Sequence, residues 1–549
     1  MRGRRVFMDS LQAHGVRHLF GNPGTTESPL IDSLGDYPQI DYVVALHEGL
    51  AVGAAAYYAQ ASGRTGVVNL HVAPGLGNAI GMIYGAWKAN APLIVTAGQQ
   101  DTRMRLRDPL LGHDLAAMAA PVTKWSTQVE RADELADLMR RAFKIANDPP
   151  FGPVFVALPI DVLEQETENA ALAPSPLRHA SHPDPVGLAQ AGELLSRARK
   201  PVIVAGDDVA RAGADGALLR LAERLGAEIW AEGLRAQAVA PSAHPAMRGA
   251  LPFTAGQIAR ALADTDCVLL AGGPFFEEVW FDPESPFPDG AAVLQIEESP
   301  ERLGRNYPLT LGLLGGLAPA LEALADTVAP EPTAAAERNA ALAARRQEER
   351  EAQAGRVERA RARRPMAMSL AMAVLAESLP SEAVLVEESI TASIDFARSI
   401  PIAGPGHYFS GRGGGIGQGL AGAVGVATAK PGQPVVCVSG DGSAMYSIQA
   451  LWSAAHHNLP VVFVILANRE YRVLKHNIDL YRSRFGNESN RDYAHMDLAT
   501  PDLGFVEMAR GMGVEGERVS EPDDFAAALE TAFAAGTPRL IEVVIEGKA

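Results

Sequence analysis

The chain alternates short, continuous apolar runs with stretches of helical character. The apolar runs are rich in β-branched residues and recur from end to end: YVVAL (42–46), GVVNLHV (66–72), PLIVTAG (92–98), GPVFVALPID (152–161), PVIVAGDDV (201–209), AVLVEES (383–389), PVVCVSG (434–440), PVVFVIL (460–466) and PRLIEVVIE (538–546). Continuous apolar strands separated by helices are typical of parallel sheets covered on both faces. The pattern therefore predicts an α/β fold.

Two polar stretches divide this pattern into three α/β blocks. Residues 165–185 are rich in Pro, Ala, Ser and His, as expected of a linker. Residues 330–364 are charged and rich in Ala, which is typical of a solvated helix or linker of mixed charge. The first and third blocks are similar in size and rhythm, which suggests related folds.

Composition narrows the class of protein. With 549 residues the chain is too long for a single core, and its 47% hydrophobic content is ordinary for a globular protein. A net charge of −17 argues against broad binding to nucleic acid or anionic membranes. Cys267 and Cys437 lie inside apolar runs and are expected to be buried thiols. With no apolar run of about 18 residues and no signal peptide, the sequence predicts a cytoplasmic protein without membrane spans.

The first candidate binding motif is GQGLAG at residues 417–422, which matches the G-x-G-x-x-G fingerprint of dinucleotide-binding sites. Asp441, further along the chain, would be the acidic residue that this fingerprint requires. That fingerprint should directly follow a strand. Here it follows the polar, glycine-rich loop GHYFSGRGGGI instead, which disfavours a dinucleotide site.

A second interpretation pairs Asp441 with Asn468, because each follows an apolar run that predicts a strand. Neighbouring parallel strands deliver their carboxyl ends to one edge of a sheet, where such sheets bind ligands. A carboxylate and an amide oxygen suit Mg²⁺, which completes its shell with phosphate and water. Gly442 and Ser443 open the next helix, whose amino end can hold phosphate. The pattern thus predicts a diphosphate held by Mg²⁺.

This GDG motif, followed some two dozen residues later by Asn, resembles the signature of the thiamine diphosphate-dependent 2-oxoacid decarboxylase and acetolactate synthase superfamily. The resemblance covers nearly the whole chain. It implies three doubly wound parallel-sheet domains: a pyrimidine-binding domain (1–165), a central non-catalytic domain (185–330) and a diphosphate-binding domain (365–549). It also implies at least a homodimer, and a homotetramer of two such dimers, because cofactor domains of different chains form each site.

The resemblance assigns cofactor contacts residue by residue. Glu48, in VVALHEGL, matches the glutamate that protonates the aminopyrimidine of thiamine diphosphate. The remaining predicted contacts are the carbonyl of Gly414, the apolar wedge Ile416, the diphosphate contacts Thr391, Gly442 and Ser443, the cofactor contact Tyr471, and the Mg²⁺ ligands Asp441, Asn468 and Glu470. For Glu470 the backbone carbonyl is the expected ligand, because the family often has a small residue there.

Within the superfamily, several stretches resemble benzoylformate decarboxylases. GNPGTTESPL (21–30) implies that Thr25 binds substrate, and NLHVAPGLGNA (69–79) implies that His71 is an active-site histidine. The resemblance also implies a second active-site histidine in the stretch AGGPFFEEVWFDP, but that stretch contains no histidine. His113 and His476 therefore become candidates for the acid that protonates the intermediate. The apolar candidates for a substrate pocket, which favour an aromatic or branched substrate, are Phe276, Val279, Trp280 and Leu474.

The resemblance implies a lyase that removes CO₂ from a 2-oxoacid through an enamine and releases an aldehyde. Several alternatives remain open at this stage. One is an acetolactate synthase-like carboligase, and another is a lyase of 2-hydroxyketones or 2-hydroxyacyl-CoA. A cofactor-binding protein without catalysis is disfavoured by Glu48, and a dehydrogenase would need NAD.

Overall fold

A computed structural model describes residues 1–175, 181–277, 280–487, 489 and 491–547 of the chain. These residues form two compact units. The first unit comprises the described residues of 1–175, 357–400 and 410–549, and it contains one of the three sheets and most of another. The second unit comprises those of 176–356 and 401–409.

The first sheet of the first unit has the strand order β2-β1-β3-β4-β6-β5, and all of its neighbouring strands are parallel. Its strands are β1 (His18–Gly21), β2 (Asp41–Val44), β3 (Gly66–Leu70), β4 (Leu93–Gln99), β5 (Trp125–Gln128) and β6 (Pro153–Pro159). The helices of this region are α1 (Gly3–Ala13), α2 (Ser28–Ser33), α3 (Glu48–Ser62), α4 (Val72–Lys88), α5 (Leu115–Ala119), α6 (Leu135–Asn147) and α7 (Ile160–Glu164).

The second unit contains a sheet of order β12-β11-β10-β7-β8-β9, again parallel. Its strands are β7 (Pro201–Ala205), β8 (Glu228–Ala231), β9 (Met247–Ala250), β10 (Cys267–Ala271), β11 (Ala292–Glu297) and β12 (Leu311–Leu314). The accompanying helices are α8 (Pro185–Arg197), α9 (Asp207–Arg211), α10 (Asp215–Leu225), α11 (Ala255–Ala261), α12 (Leu317–Thr327) and α13 (Pro332–Ala360).

Both faces of this second sheet are buried, which explains its continuous apolar strands. On β7, Ile203 belongs to one hydrophobic cluster, whereas its neighbours Val202 and Val204 belong to a cluster on the opposite face. Successive side chains of a strand point to opposite faces. A strand covered on both sides is therefore apolar at every position.

The third sheet lies in the order β14-β13-β15-β16-β18-β17. Its strands are β13 (Val384–Glu388), β14 (Tyr408–Ser410), β15 (Val435–Gly440), β16 (Val461–Ala467), β17 (Glu515–Val519) and β18 (Arg539–Val544). The helices are α14 (Met368–Ser378), α15 (Ser393–Ser399), α16 (Gln418–Ala429), α17 (Asp441–Ala444), α18 (Ala450–His456), α19 (Arg472–Arg484), α20 (Phe505–Gly511) and α21 (Pro522–Ala535). The pairs β13–β15, β15–β16, β16–β18 and β17–β18 are parallel.

Three six-stranded sheets with helices confirm the predicted α/β fold class. The apolar runs become strands within two residues of their predicted ends, except that the strand of run 201–209 stops at Ala205 because helix α9 begins at Asp207. The C-cap of helix α3 is Gly63, which is left-handed (φ 67°). Cys267 and Cys437 are buried free thiols, as expected, and burial raises the pKa of Cys267 to about 12. Among the described residues, we find no helix that is both long and apolar enough to span a membrane.

Candidate active site

Asp441 and Asn468 meet at one edge of the third sheet. Strand β15 ends at Gly440 and β16 at Ala467, and the parallel register pairs Gly440 with Leu466. One oxygen of the Asp441 carboxylate accepts the backbone N–H of Gly442 at 2.7 Å, and the other accepts that of Arg469, next to Asn468, at 2.6 Å. The two predicted metal ligands are thus tied together through the backbone.

The Asp441 carboxylate is only 4% exposed, and burial raises its pKa, although its backbone N–H donors act against that rise. The Asn468 side-chain oxygen accepts the N–H of Glu470 at 3.0 Å. The Glu470 carboxylate pairs with Lys475. The side chain of Glu470 is therefore committed elsewhere, and its role as a metal ligand through the backbone carbonyl stays a prediction.

Tyr471 packs against the glycine of the GDG motif. A Cβ placed on Gly442 would lie 2.6 Å from a carbon of the Tyr471 ring, so only glycine fits there without a shift. Gly442 and Ser443 form the first turn of α17, which begins at Asp441, and both are buried. Packing that the sequence does not reveal thus places the predicted cofactor contact Tyr471 against the GDG motif.

The neighbouring strand β13 brings Thr391 to the same edge. A short 3₁₀ helix, Ile390–Ala392, follows the end of β13 almost at once, and β13 pairs with β15. Thr391 is half-buried there, next to Ile390, whose positive φ of 52° is rare for a β-branched residue. Its predicted contact with a diphosphate stays a prediction.

The glycine-rich segment ends at the amino end of α16, where Glu388 occupies the helix terminus. The Glu388 carboxylate accepts the backbone N–H groups of Gly417, Gln418 and Gly419 at 2.8, 3.0 and 2.9 Å. Burial raises the pKa of this carboxyl to about 7. A pyrophosphate bound by G-x-G-x-x-G would use the same N–H groups, so this contact explains physically why the fingerprint match is not a dinucleotide site.

Glu48 lies at the first position of α3, held between two side-chain amides. Asn22 donates to one carboxylate oxygen at 3.4 Å and Asn78 donates to the other at 3.0 Å. The carboxylate is 7% exposed, and the preceding His47 caps the helix by accepting the N–H of Gly49. The two amides fix the direction of the carboxylate, which can still accept a hydrogen bond from a further donor.

A buried carboxylate that the sequence did not point to lies next to His71. Glu27 is fully buried, and its Oε2 lies 2.8 Å from Nδ1 of His71. Its other oxygen accepts the hydroxyl of Thr26 at 2.7 Å. Because a carboxylate only accepts hydrogen bonds, Nδ1 of His71 carries the proton in this pair and Nε2 is left as the second ring position.

Glu48 and His71 are close neighbours across Gly75. A Cβ on Gly75 would lie 3.1 Å from Oε1 of Glu48 and 3.4 Å from Cβ of His71. Gly24 is similarly constrained, because a Cβ there would overlap the His71 ring. Both glycines belong to the stretches that resemble benzoylformate decarboxylases, and their lack of a side chain lets His71 and Glu48 share one site.

The other predicted substrate residues occupy varied surroundings. Thr25 is exposed in the 3₁₀ helix Thr25–Glu27, and His113 is exposed while its carbonyl accepts Gln99 at 2.7 Å. Leu474 and His476 are exposed on α19. Their roles stay predictions.

Phe276 lies in the core of the second unit. Its ring is 8% exposed and packs edge-on against Phe287 and Tyr307 at 5.6 and 5.7 Å between ring centroids. The packing gives Phe276 a core role in that unit, and its assignment to a pocket is still only predicted. Val279 lies outside the described residues.

Family models of thiamine pyrophosphate enzymes match three parts of the chain. The N-terminal TPP binding domain matches residues 1–118, the central domain 188–324 and the C-terminal TPP binding domain 391–543. A benzoylformate decarboxylase from Pseudomonas aeruginosa is 36% identical over 540 residues, which cover 97% of each chain. The chain belongs to the thiamine pyrophosphate enzyme family.

Other members of the thiamine pyrophosphate enzyme family are also similar. The acetolactate synthase large subunit of Haemophilus influenzae is 26% identical over 97% of this chain and 92% of its own. The structure of the thiamine diphosphate-dependent 4-hydroxybenzoylformate decarboxylase of Rhodococcus jostii RHA1 is 29% identical, covers both chains fully and has a TM-score of 0.86. These similarities confirm the predicted superfamily, and the matched TPP binding domains support thiamine diphosphate as the cofactor.

Proposed function

We propose that this protein is a non-oxidative decarboxylase that uses thiamine diphosphate and Mg²⁺ to convert a 2-oxoacid with an aromatic side chain, similar to benzoylformate, into an aldehyde and CO₂. The observation that carries the proposal is the Glu27–His71 pair beside Glu48. It supplies an oriented imidazole where a decarboxylase needs a group that moves a proton. The names of two similar proteins support the substrate class.

The edge of the third sheet fits the diphosphate end of this cofactor. Buried Asp441 and the neighbouring Asn468 offer oxygen ligands of the kind Mg²⁺ prefers, and the Glu470 carbonyl completes the proposed set. The diphosphate would be held by Thr391, Gly442 and Ser443, with Tyr471 against the cofactor. A Cβ at residue 442 would collide with the Tyr471 ring, so this arrangement of Tyr471 beside the GDG motif depends on glycine.

Other residues of the chain would act on the ring end of the cofactor and on the substrate. When bound, thiamine diphosphate supplies a nucleophilic thiazolium carbon and an electron sink. Glu48 would hold a proton at its carboxylate, directed toward the aminopyrimidine ring. The Gly414 carbonyl would accept a hydrogen bond from the amino group of that ring, and Ile416 would support the bent conformation of the cofactor. His71 would transfer a proton at Nε2, while Thr25 binds the substrate carboxylate.

The other residues predicted from the resemblance would contact the substrate. His113 and His476 remain candidates for a second acid, and Phe276, Val279 and Leu474 for the pocket that receives the aromatic side chain. We also propose a homodimer at minimum, and a homotetramer of two such dimers, because the family pairs cofactor domains of different chains. Light scattering during size-exclusion chromatography would test the oligomeric state.

The second unit argues against the alternative of a 2-hydroxyacyl-CoA lyase. The order in which the chain adds strands to this parallel sheet reverses between β7 and β10, and open α/β sheets bind nucleotides at such a point. The Glu297 carboxylate accepts the N–H groups of Gly273, Glu298 and Ser299 there, and Gly206 is pressed directly against the Gly272 carbonyl. The chain thus fills this crevice with its own carboxylate and backbone.

A panel of 2-oxoacids tests the proposal. Purified protein with thiamine diphosphate and Mg²⁺ is expected to release CO₂ and aldehyde fastest from arylglyoxylates, and Glu48→Gln is expected to abolish release. Pyruvate turned over mainly to acetolactate would favour the carboligase alternative. Turnover of a 2-hydroxyacyl-CoA, or no turnover of any oxoacid, would contradict the decarboxylase.

A further inference from the structure

Gln418 ties the glycine-rich loop to the start of α16. Its side-chain nitrogen donates to two loop carbonyls, that of Arg412 at 3.0 Å and that of Gly415 at 2.7 Å. Gln418 is 5% exposed, and its hydrogen bond to Arg412 is buried while that to Gly415 is partly buried. Because both partners are carbonyls, which only accept, the orientation of the amide is settled: nitrogen faces the loop.

The surroundings of Gln418 leave this amide little freedom. A Cβ on Gly85 of α4 would lie 3.2 Å from its oxygen, and a Cβ on Gly411 would lie 3.2 Å from its nitrogen. The backbone N–H of Gln418 is fixed as well, since it donates to the buried carboxylate of Glu388. The side chain thus lies in a slot lined by glycines and is anchored at its own backbone.

The loop that Gln418 contacts is rich in glycine, so hydrogen bonds are required to hold it in one conformation. Gly413 and Gly414 both adopt positive φ values, 81° and 72°, and glycine loses more conformational freedom on folding than any other residue. Between the two carbonyls held by Gln418, the carbonyl of Gly414 accepts no hydrogen bond from any described residue, and Gly414 is exposed. The Gly414 carbonyl is therefore a free hydrogen-bond acceptor, and it lies between two carbonyls that are hydrogen-bonded to Gln418.

We propose that Gln418 is a positioning residue for thiamine diphosphate: by holding the carbonyls of Arg412 and Gly415, it fixes the direction of the free Gly414 carbonyl. The inference rests on the proposed function in one respect, namely that Gly414 faces the cofactor. The loop is then preorganised before the cofactor binds, so that binding carries less of the cost of ordering it.

Two variants of similar size test this role. Gln418→Glu removes both N–H donors, and Gln418→Met removes the polar group while keeping the length of the side chain. Gln433→Glu is the control, because Gln433 precedes β15 and so lies at the opposite edge of the sheet from the site. The measurements are the affinity for thiamine diphosphate with Mg²⁺ by calorimetry, amide hydrogen exchange of the cofactor-free protein, and thermal unfolding.

Both Gln418 variants are expected to bind the cofactor about tenfold or more weakly, because each loses both hydrogen bonds between the side chain and the loop. In the cofactor-free protein, amides 413–417 should exchange faster while those of β15 stay protected. At saturating cofactor, KM for the oxoacid should change little. Gln433→Glu should match the wild type in every measurement.

Three results would overturn the role of Gln418: unchanged cofactor affinity in both variants, unchanged exchange at 413–417, or weaker binding only in step with unfolding of the whole unit. The last would make Gln418 a core residue and nothing more. If the wild-type protein itself failed to bind thiamine diphosphate, the cofactor assignment would fail instead, so the two failures are distinguishable.

Discussion

The fully buried carboxylate of Glu27 lies 2.8 Å from Nδ1 of His71. The two residues are 44 positions apart in sequence. Strands β1 and β3 bring them together, because β1 leads into the Glu27 loop, β3 leads into His71, and the two strands are neighbours in the sheet. The pair sets which nitrogen of His71 carries the proton, and this has a measurable consequence.

Glu27→Gln is expected to reduce kcat/KM for the oxoacid about 100-fold, a loss typical of disturbed proton transfer. An amide does not fix the His71 tautomer as a carboxylate does, so the pH profile should shift as well. Steady-state kinetics between pH 5 and 9 would measure both effects. Glu164→Gln, at a partly exposed carboxylate paired with Arg2, is the control. Full activity with an unchanged profile would show that the pair does not serve catalysis.

Asp441→Asn is expected to weaken the binding of thiamine diphosphate with Mg²⁺ by about 100-fold, since the divalent ion loses its only charged protein ligand in the proposed set. The unfolding temperature of the cofactor-free protein should change by only a few degrees, because the amide keeps the size of the side chain. Calorimetric titration measures the affinity. Asp326→Asn, on the exposed side of α12, should bind normally; equal affinity in Asp441→Asn would exclude Asp441 as a metal ligand.

Gly442→Ala is expected to destabilise the cofactor-free protein by about 1–3 kcal/mol, because the new Cβ would lie 2.6 Å from the Tyr471 ring and force it to move. Gly511→Ala provides the matched control. It lies in helix α20, where a Cβ would meet nothing within 4 Å, so this change should be neutral or slightly stabilising. Urea unfolding of both variants would compare them. Equal stability would mean that Tyr471 does not pack on Gly442 in solution.

The buried Glu388 predicts a pH dependence of stability. Burial raises the pKa of its carboxyl from 4.5 to about 7, so between these values the folded state binds more protons than the unfolded state. The contribution of Glu388 to stability should therefore fall as pH rises from about 4.5 to 7, by about 3 kcal/mol in total.

Glu388→Gln removes the titrating group while keeping its size. Denaturant unfolding of the cofactor-free protein at several pH values would give the stability of wild type minus that of the variant, and this difference should decrease across the window. The subtraction matters because Glu542, whose pKa burial also raises to about 7, titrates in the same range and remains in both proteins. A difference that does not change with pH would contradict a raised pKa at Glu388.

Much of the fold could be predicted from the sequence. Inner strands such as β4 and β16 are buried at every position because helices cover both faces of a sheet, and their mostly apolar residues are visible as runs in the sequence. The strands that sequence analysis missed are mostly edge strands, including β5 (Trp125–Gln128) and β17 (Glu515–Val519). An edge strand is partly exposed, so no continuous apolar run marks it.

The candidate site divides in the same way. Asp441 and Asn468 were identifiable because each follows a strand, and the end of a strand is a property of the local sequence. Glu48 was identifiable through the family resemblance of the stretch VVALHEGL. Glu27 was missed because its carboxylate acquires a partner only when β1 and β3 lie side by side. No spacing rule connects residues so far apart.

By itself, the sequence determined the fold class, the family and the strand ends that carry the candidate ligands, because hydrophobic periodicity and short motifs are local. Only the tertiary structure decided which side chains meet: Glu27 with His71, Glu388 with the start of α16, and Gln418 with the loop before it. Each of these contacts joins a buried polar group to a partner from a different segment. A buried polar group must find such a partner in three dimensions, and the linear chain does not record which one it finds.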